Sequence, residues 1–285
     1  MKTKSIPIFI MLVFGATCLW SQEPKTQCSV TYIANEGFLL ETKTGKVLID
    51  ALFGGIKGNW CDQPDDSVSN LMLKGLAPFA NIDVVLVTHR HSDHFKEEMV
   101  MAFLANNHES VLICPDQVND LLKRNTGYSQ VSSRIHSFKS DGVFDTTLSV
   151  NNMNIKILRF NHGSYFETDS VTGKSYDLHS NIENFAYYIE INDFKIFHTG
   201  DGSPSTNKDQ YKIYGIGNEK MDIAFLDRVY LGREGQQIMN EYIHSKNIIL
   251  MHIEPNRREY YYSFVKDIPE FFVFMKPMEK KIILK

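Results

Sequence analysis

The run Thr88-His89-Arg90-His91-Ser92-Asp93-His94 places three imidazoles and a carboxylate within six positions, directly after the apolar stretch Val84-Val85-Leu86-Val87. A fold built on this run must bury the strand while leaving four metal-capable side chains free at its end. Neutral imidazole and carboxylate are preferred ligands of a borderline cation such as zinc. In a tight loop, His89 and His91 point one way at alternate positions, while Asp93 and His94 turn toward a second point.

The rest of the composition narrows the setting. A chain of 285 residues, 43% hydrophobic, suffices for one substantial core. Its net charge of −4, without a block of Lys or Arg, offers a phosphate backbone no footprint. A small-molecule substrate is expected, and no nucleic acid. Lys2 and Lys4 precede the apolar run 6–14, and small residues Gly15-Ala16-Thr17 lead to polar Ser21-Gln22-Glu23. That order predicts a signal peptide over 1–21 and an exported mature domain over 22–285, periplasmic or extracellular. The apolar centre is too short for an ordinary span, so no stable membrane insertion is expected after cleavage. Cys18 lacks a Leu three positions before it, which argues against a lipid anchor. Cys28, Cys61 and Cys114 leave room for one disulfide but imply no framework, and no CxxC pair supports a thiolate-bound zinc.

Strands are predicted at 30–33, 37–42 and 47–50, the last two forming a hairpin through Lys43-Thr44-Gly45-Lys46. Residues 53–75, rich in Gly, Asp, Ser and Asn, read as a long loop. A strand at 82–88 delivers the histidine run. Met99, Val100, Phe103 and Leu104 recur at helical spacing. A strand at 111–114 is broken by Pro115, and Asp116 caps a short helix. Strands fill 144–160 and 185–199, with a polar insertion at 163–183 between them. A strand at 223–226, a helix around 236–244 and a strand at 248–251 follow, and the apolar tail 271–284 shows no period. This alternation predicts a single domain with a mixed sheet covered by helices.

Ligand-type residues return where later strands end: His162 after 155–160, Asp201 after 194–197, and His252 after 248–251. Strand ends along one sheet edge converge on a common crevice, where α/β folds place their sites. With Asp50 and the HxHxDH run of 89–94, these residues resemble, in order over 30–255, the metallo-β-lactamase superfamily of metal-dependent hydrolases. The resemblance implies an α/β fold, an αββα sandwich of two mixed sheets flanked by helices. It further implies two Zn2+ ions or other divalent metals. His89, His91 and His162 would hold the first; Asp93, His94 and His252 the second; Asp201 would bridge them. Two divalent cations about 3.5–4 Å apart bring the pKa of a shared water toward neutrality. The activity so implied is attack of a metal-bridging hydroxide on a small ester, lactone, amide or phosphoester. Asp93 is the catalytic candidate, orienting the hydroxide and carrying a proton to the leaving group. Asp50 would fix the histidine loop, as ligating imidazoles need.

The resemblance asks for one ligand among His162 and His179; His162 follows a strand directly and is preferred, leaving His179 to line the pocket. His198, inside a strand, is expected to be structural, and His108, His136 and His244 have no ligand context. Class B1 β-lactamases carry Arg at the place of His94 and a Cys ligand, and this chain has neither. Met251-His252-Ile253-Glu254-Pro255 instead looks like the lactonase and phosphodiesterase-like branches. The alternative is a non-hydrolytic metal-binding or diiron redox protein on the same scaffold, usually marked by a carboxylate replacing one histidine of the run. Trp60, Tyr165, Phe166 and Tyr260-Tyr261-Tyr262 are expected in the core before a pocket wall. The sequence sets no oligomeric state.

Overall fold

The structure is a computed structural model that describes residues 26–285, so the expected signal segment lies outside the described residues. Strand side chains alternate between two faces, and in central strands such as Val84–Leu86 and Ile248–Met251 both faces are apolar and buried. Such strands need a layer on each side, and the chain supplies it with two sheets back to back under helices.

The strands of the first half are β1 (Gln27–Ala34), β2 (Gly37–Glu41), β3 (Lys46–Ile49), β4 (Val84–Leu86), β5 (Val111–Pro115) and β6 (Ile135–Phe138). Those of the second are β7 (Asp145–Val150), β8 (Met153–Asn161), β9 (Phe166–Thr168), β10 (Ser175–Asp177), β11 (Glu183–Ile191), β12 (Phe194–His198), β13 (Ile223–Asp227), β14 (Ile248–Met251), β15 (Phe271–Val273) and β16 (Lys280–Leu284). One seven-stranded sheet has the order β16-β1-β2-β3-β4-β5-β6, the other β15-β14-β13-β12-β11-β8-β7. Each sheet begins with antiparallel pairs and continues as a parallel run, from β3 to β6 and from β12 to β15. Their facing sides form the central core, with Val30, Phe38, Ile49 and Leu86 against Ile157, Phe185, Tyr187, Ile196 and Phe225. Burying each such side chain contributes about 1.5–3 kcal/mol.

The helices α1 (Asp66–Leu73), α2 (Glu97–Asn106), α3 (Asp116–Leu122) and α4 (Tyr128–Val131) belong to the first half. Val68, Phe103, Leu104 and Val118 pack there on the outward residues Leu39, Leu48, Val85 and Leu112. In the second half, α5 (Pro204–Ile213), α6 (Arg233–Tyr242) and α7 (Arg258–Val265) place Tyr211, Ile238 and Val265 over Leu158, Phe197, Ala224 and Leu250. The result is an αββα sandwich. No helix among the described residues is long and apolar enough to cross a membrane.

Several expectations change. The stretch 53–75 is not all loop: Asp65 caps α1 by accepting from Val68 N at 2.8 Å, and Val68 and Met72 form a narrow buried stripe in a polar sequence. The helices α5 and α7 carry equally thin apolar faces and were not foreseen. The tail has no single period because its two strands join different sheets, β15 at β14 and β16 at β1. The insertion 163–183 contains the β9–β10 hairpin, and Pro115 closes β5 rather than breaking it.

Candidate metal centre

The carboxyl ends of β1, β3, β4, β8, β12, β13 and β14 lie along one edge of the sandwich, and the polar residues gather there. Near this edge the sheets are tied by Tyr187 Oη donating to Val87 O at 2.8 Å and Phe185 N donating to Thr88 O at 2.9 Å.

Asp50 ends β3 in the left-handed region, φ 42°, and organises the histidine loop. Its Oδ1 accepts from Thr88 N at 2.8 Å; its Oδ2 accepts from the Thr88 hydroxyl at 2.6 Å and lies 2.9 Å from His94 Nδ1. The Thr88 hydroxyl, its proton committed to Asp50, accepts from His89 Nδ1 at 3.0 Å. His162 Nδ1 donates to Gly163 O at 2.8 Å, and His252 Nδ1 to Asp227 Oδ2 at 2.9 Å. His252 sits at φ 55°, a second left-handed residue, and Arg228 donates to its carbonyl oxygen. Non-glycine residues hold such backbone only where the surroundings enforce it, often at functional sites. Four imidazoles are thus pinned through Nδ1–H, the tautomer that leaves each Nε2 lone pair available.

Three of these Nε2 atoms converge on Asp201. Its Oδ2 lies 3.1 Å from His162 Nε2 and 3.7 Å from His89 Nε2, and its Oδ1 lies 3.3 Å from His94 Nε2. Gly200, at φ 52°, allows this placement; a Cβ there would come within 2.5 Å of Asn184 Oδ1 and 2.9 Å of Thr88 Cβ. Asn184 Oδ1 also accepts from Asp201 N at 3.1 Å. The half-buried His91 packs edge-on, its ring centroid 4.6 Å from that of His89 and 4.7 Å from that of His162. His89, His91, His162 and Asp201 each present a ligating atom within 4.8 Å of the others, and so do Glu36, His94, Asp201 and His252. Asp93 brings Oδ2 to 3.6 Å from Nε2 of both His94 and His252 while accepting from Asn35 Nδ2 at 3.0 Å.

Nε2 of His89, His94 and His162 and Oδ1 of Asp201 are buried without a hydrogen-bond partner. Each such orphan costs about 1–3 kcal/mol, and here they face one another. Three imidazoles with a carboxylate form a donor set that fits a divalent cation, and a second set adjoins it across the same carboxylate.

Charge divides the two sets. Burial, then the neighbouring His162, brings His91 down to about 4. Burial and His94 likewise hold His89 well below its usual range. Burial acts the same way on His94 and His252, yet Asp201 and the other carboxylates around them push both well above it. Burial alone would raise Asp201, but His252, His94 and His89 hold its carboxyl well below the usual range.

All seven residues expected as ligands therefore lie at one place. His162 stands in the first set, and His179 packs behind it with ring centroids 4.3 Å apart, its Nδ1 donating to Gly163 O at 2.9 Å. His198 is buried; its Nδ1 accepts from Gly200 N at 3.1 Å. Cys28, Cys61 and Cys114 are buried free thiols, and burial, with Asp93 nearby, pushes Cys61 up to about 12. Trp60, Tyr165, Phe166, Tyr260 and Tyr262 are exposed rather than core; Tyr165 stacks on His179 at the rim of the site. The surface hollow lined by Pro204, Lys208, Glu234 and Glu241 includes no residue of the cluster.

Three participants escaped the sequence reading. Asn35 and Glu36 occupy the turn between β1 and β2, where Asn at φ 50° reads as ordinary turn chemistry. Asp227 ends β13 as the expected ligands end their strands, and that position was its only signal.

A family model described as the beta-lactamase superfamily domain matches residues 46–253. A UPF0173 metal-dependent hydrolase of Thermodesulfovibrio yellowstonii is 24% identical over 258 residues, 86% of this chain and 84% of that one. Among solved structures, Igni18, a metallo hydrolase of Ignicoccus hospitalis, superimposes with a TM-score of 0.57 at 14% identity, covering 90% of this chain and 99% of its own. The metallo-beta-lactamase fold protein YhfI of Bacillus subtilis gives 0.56 at 16% identity, with 90% and 100% covered.

Proposed function

The chain belongs to the metallo-β-lactamase superfamily of metal-dependent hydrolases, and we propose that it is an exported dinuclear zinc enzyme cleaving a small ester, lactone, amide or phosphoester. The observation that carries this reading is the set of inward-facing orphans: three buried imidazole Nε2 atoms and one carboxylate oxygen with no partner. His89, His91 and His162 would hold one ion, Asp93, His94 and His252 the other, and Asp201 offers one oxygen to each side. Bound there, a divalent pair supplies Lewis acidity and a water acidic enough to attack at neutral pH.

The chain's own groups do the remainder. Asp50 and Thr88 hold His89 and His94 in register, and Asp227 does the same for His252. Asp93, oriented by Asn35, keeps a carboxylate oxygen at the second set and is placed to carry a proton to a leaving group. The partly exposed edges of His91 and His252 mark the side from which a substrate enters. Net charge supports a small substrate over nucleic acid, and the Lys2/Lys4 start with its short apolar run supports export.

Elemental analysis of the purified protein, with turnover of a simple lactone, an aryl ester and bis-p-nitrophenyl phosphate, tests the reading. Two zinc ions per chain, and hydrolysis abolished by a chelator and restored by zinc, are expected. A metal-free chain contradicts it, and two irons with visible absorption would replace hydrolysis with redox chemistry.

A further inference from the structure

Glu36 has no place in the ligand set just described, yet alone among the carboxylates of the described residues it has both oxygens buried without a hydrogen-bond partner. It is wholly enclosed. Its Oε2 lies 3.8 Å from His94 Nδ1 and its Oε1 4.0 Å from His252 Nδ1, too far for hydrogen bonds. Both of those nitrogens are already committed, to Asp50 and to Asp227. Its other charged neighbours include Asp201 and Asp227, which repel it. An ionised carboxylate so enclosed needs a cation or must take up a proton.

The backbone is shaped to bring it there. Gly37 follows it, and a Cβ on Gly37 would come within 2.8 Å of Asp50 O and 2.9 Å of Ala34 O, so the β1–β2 turn is pressed against the histidine loop. From the same turn, Asn35 donates to Asp93. One oxygen of Glu36 lies within 4.8 Å of a ring nitrogen each of His94 and His252 and of an oxygen of Asp201, the same limit within which His89, His91, His162 and Asp201 gather.

We propose that Glu36 is a carboxylate ligand of the second metal position. The assignment rests on the dinuclear reading above and deepens it. The first position is then nitrogen-rich, with three imidazoles and a shared carboxylate. The second is oxygen-rich, with Glu36, Asp93 and Asp201 beside His94 and His252. Carboxylate oxygen suits harder cations such as Mn2+, whereas imidazole suits zinc. The ratio of Mn2+ to Zn2+ affinity is therefore higher at the second position than at the first.

The test counts metals on the folded chain by native mass spectrometry during Zn2+ and Mn2+ titrations, with Glu36→Gln and Glu36→Asp beside the wild type. In Glu36→Gln the first zinc should bind as in the wild type, the second at least about 100-fold more weakly, and the Mn2+ preference of the second position should vanish. Glu36→Asp, which keeps the charge but shortens the reach, should weaken only the second ion, by about 10-fold, and decides the matter if Glu36→Gln does not fold. A second ion bound as tightly in the folded variants as in the wild type overturns the assignment and leaves Glu36 a protonated neighbour. A wild type that takes up neither ion sinks the dinuclear reading itself.

Discussion

The two sides of Asp201 use the same residue type under opposite electrostatics. On one side His89, His91 and His162 crowd together, and burial among like rings keeps His89 and His91 neutral, His91 down to about 4. On the other, His94 is wholly buried and His252 partly exposed, yet both stand among Asp50, Asp93, Asp201 and Asp227, and their pKa values are pushed well above the usual range. The first set depends mainly on its own rings. The second depends on carboxylates behind and beside it, so residues that touch no substrate decide how well it holds an ion.

Substitutions sharpen or break this contrast. Asp201→Ala removes the one group common to both sides, and bound metal should fall from two ions to none, with activity down at least about 100-fold; a variant that keeps one ion by elemental analysis breaks the bridge. His91→Ala should empty the first side alone, leaving one ion per chain and abolishing turnover, whereas equal metal in variant and wild type removes His91 from the ligands. Asp227→Asn should weaken only the second ion, by about 10–100-fold in competition with a chelator. An equal loss at both ions would mean the sides are not independent. His198→Ala should leave the metal count unchanged while lowering stability by about 2–4 kcal/mol in denaturant unfolding, since it empties a buried site between Phe38 and Phe225 and orphans Gly200 N. His179→Ala should be the mildest, with both ions retained and any effect confined to KM.

The contrast was only half visible in the sequence. Strand ends are legible, because an apolar run followed by His or Asp announces where a side chain emerges. His162, Asp201 and His252 were singled out that way, and His89, His91, Asp93 and His94 by the density of their run; the structure brings all seven together, and the sandwich was what their resemblance to a known family implied. The carboxylates behind the second side were not legible. Glu36 gave no signal, because its burial depends on a turn folded back against Asp50, a contact between distant parts of the chain. Asp227 carried the strand-end signal but had no histidine beside it to give that signal meaning. Helices α1, α5 and α7 were missed for a different reason, since each buries so few residues that its period is lost in a polar background. The exposed Tyr260 and Tyr262 on α7 follow from the same oversight.

An anomalous-scattering map of crystals of the purified protein, recorded across the zinc edge, bears most directly on the centre. Two peaks on opposite sides of the Asp201 carboxylate are predicted, one against His89, His91 and His162 and the other against His94 and His252. Density empty of metal around Asp201, with any bound ion elsewhere on the chain, would contradict it.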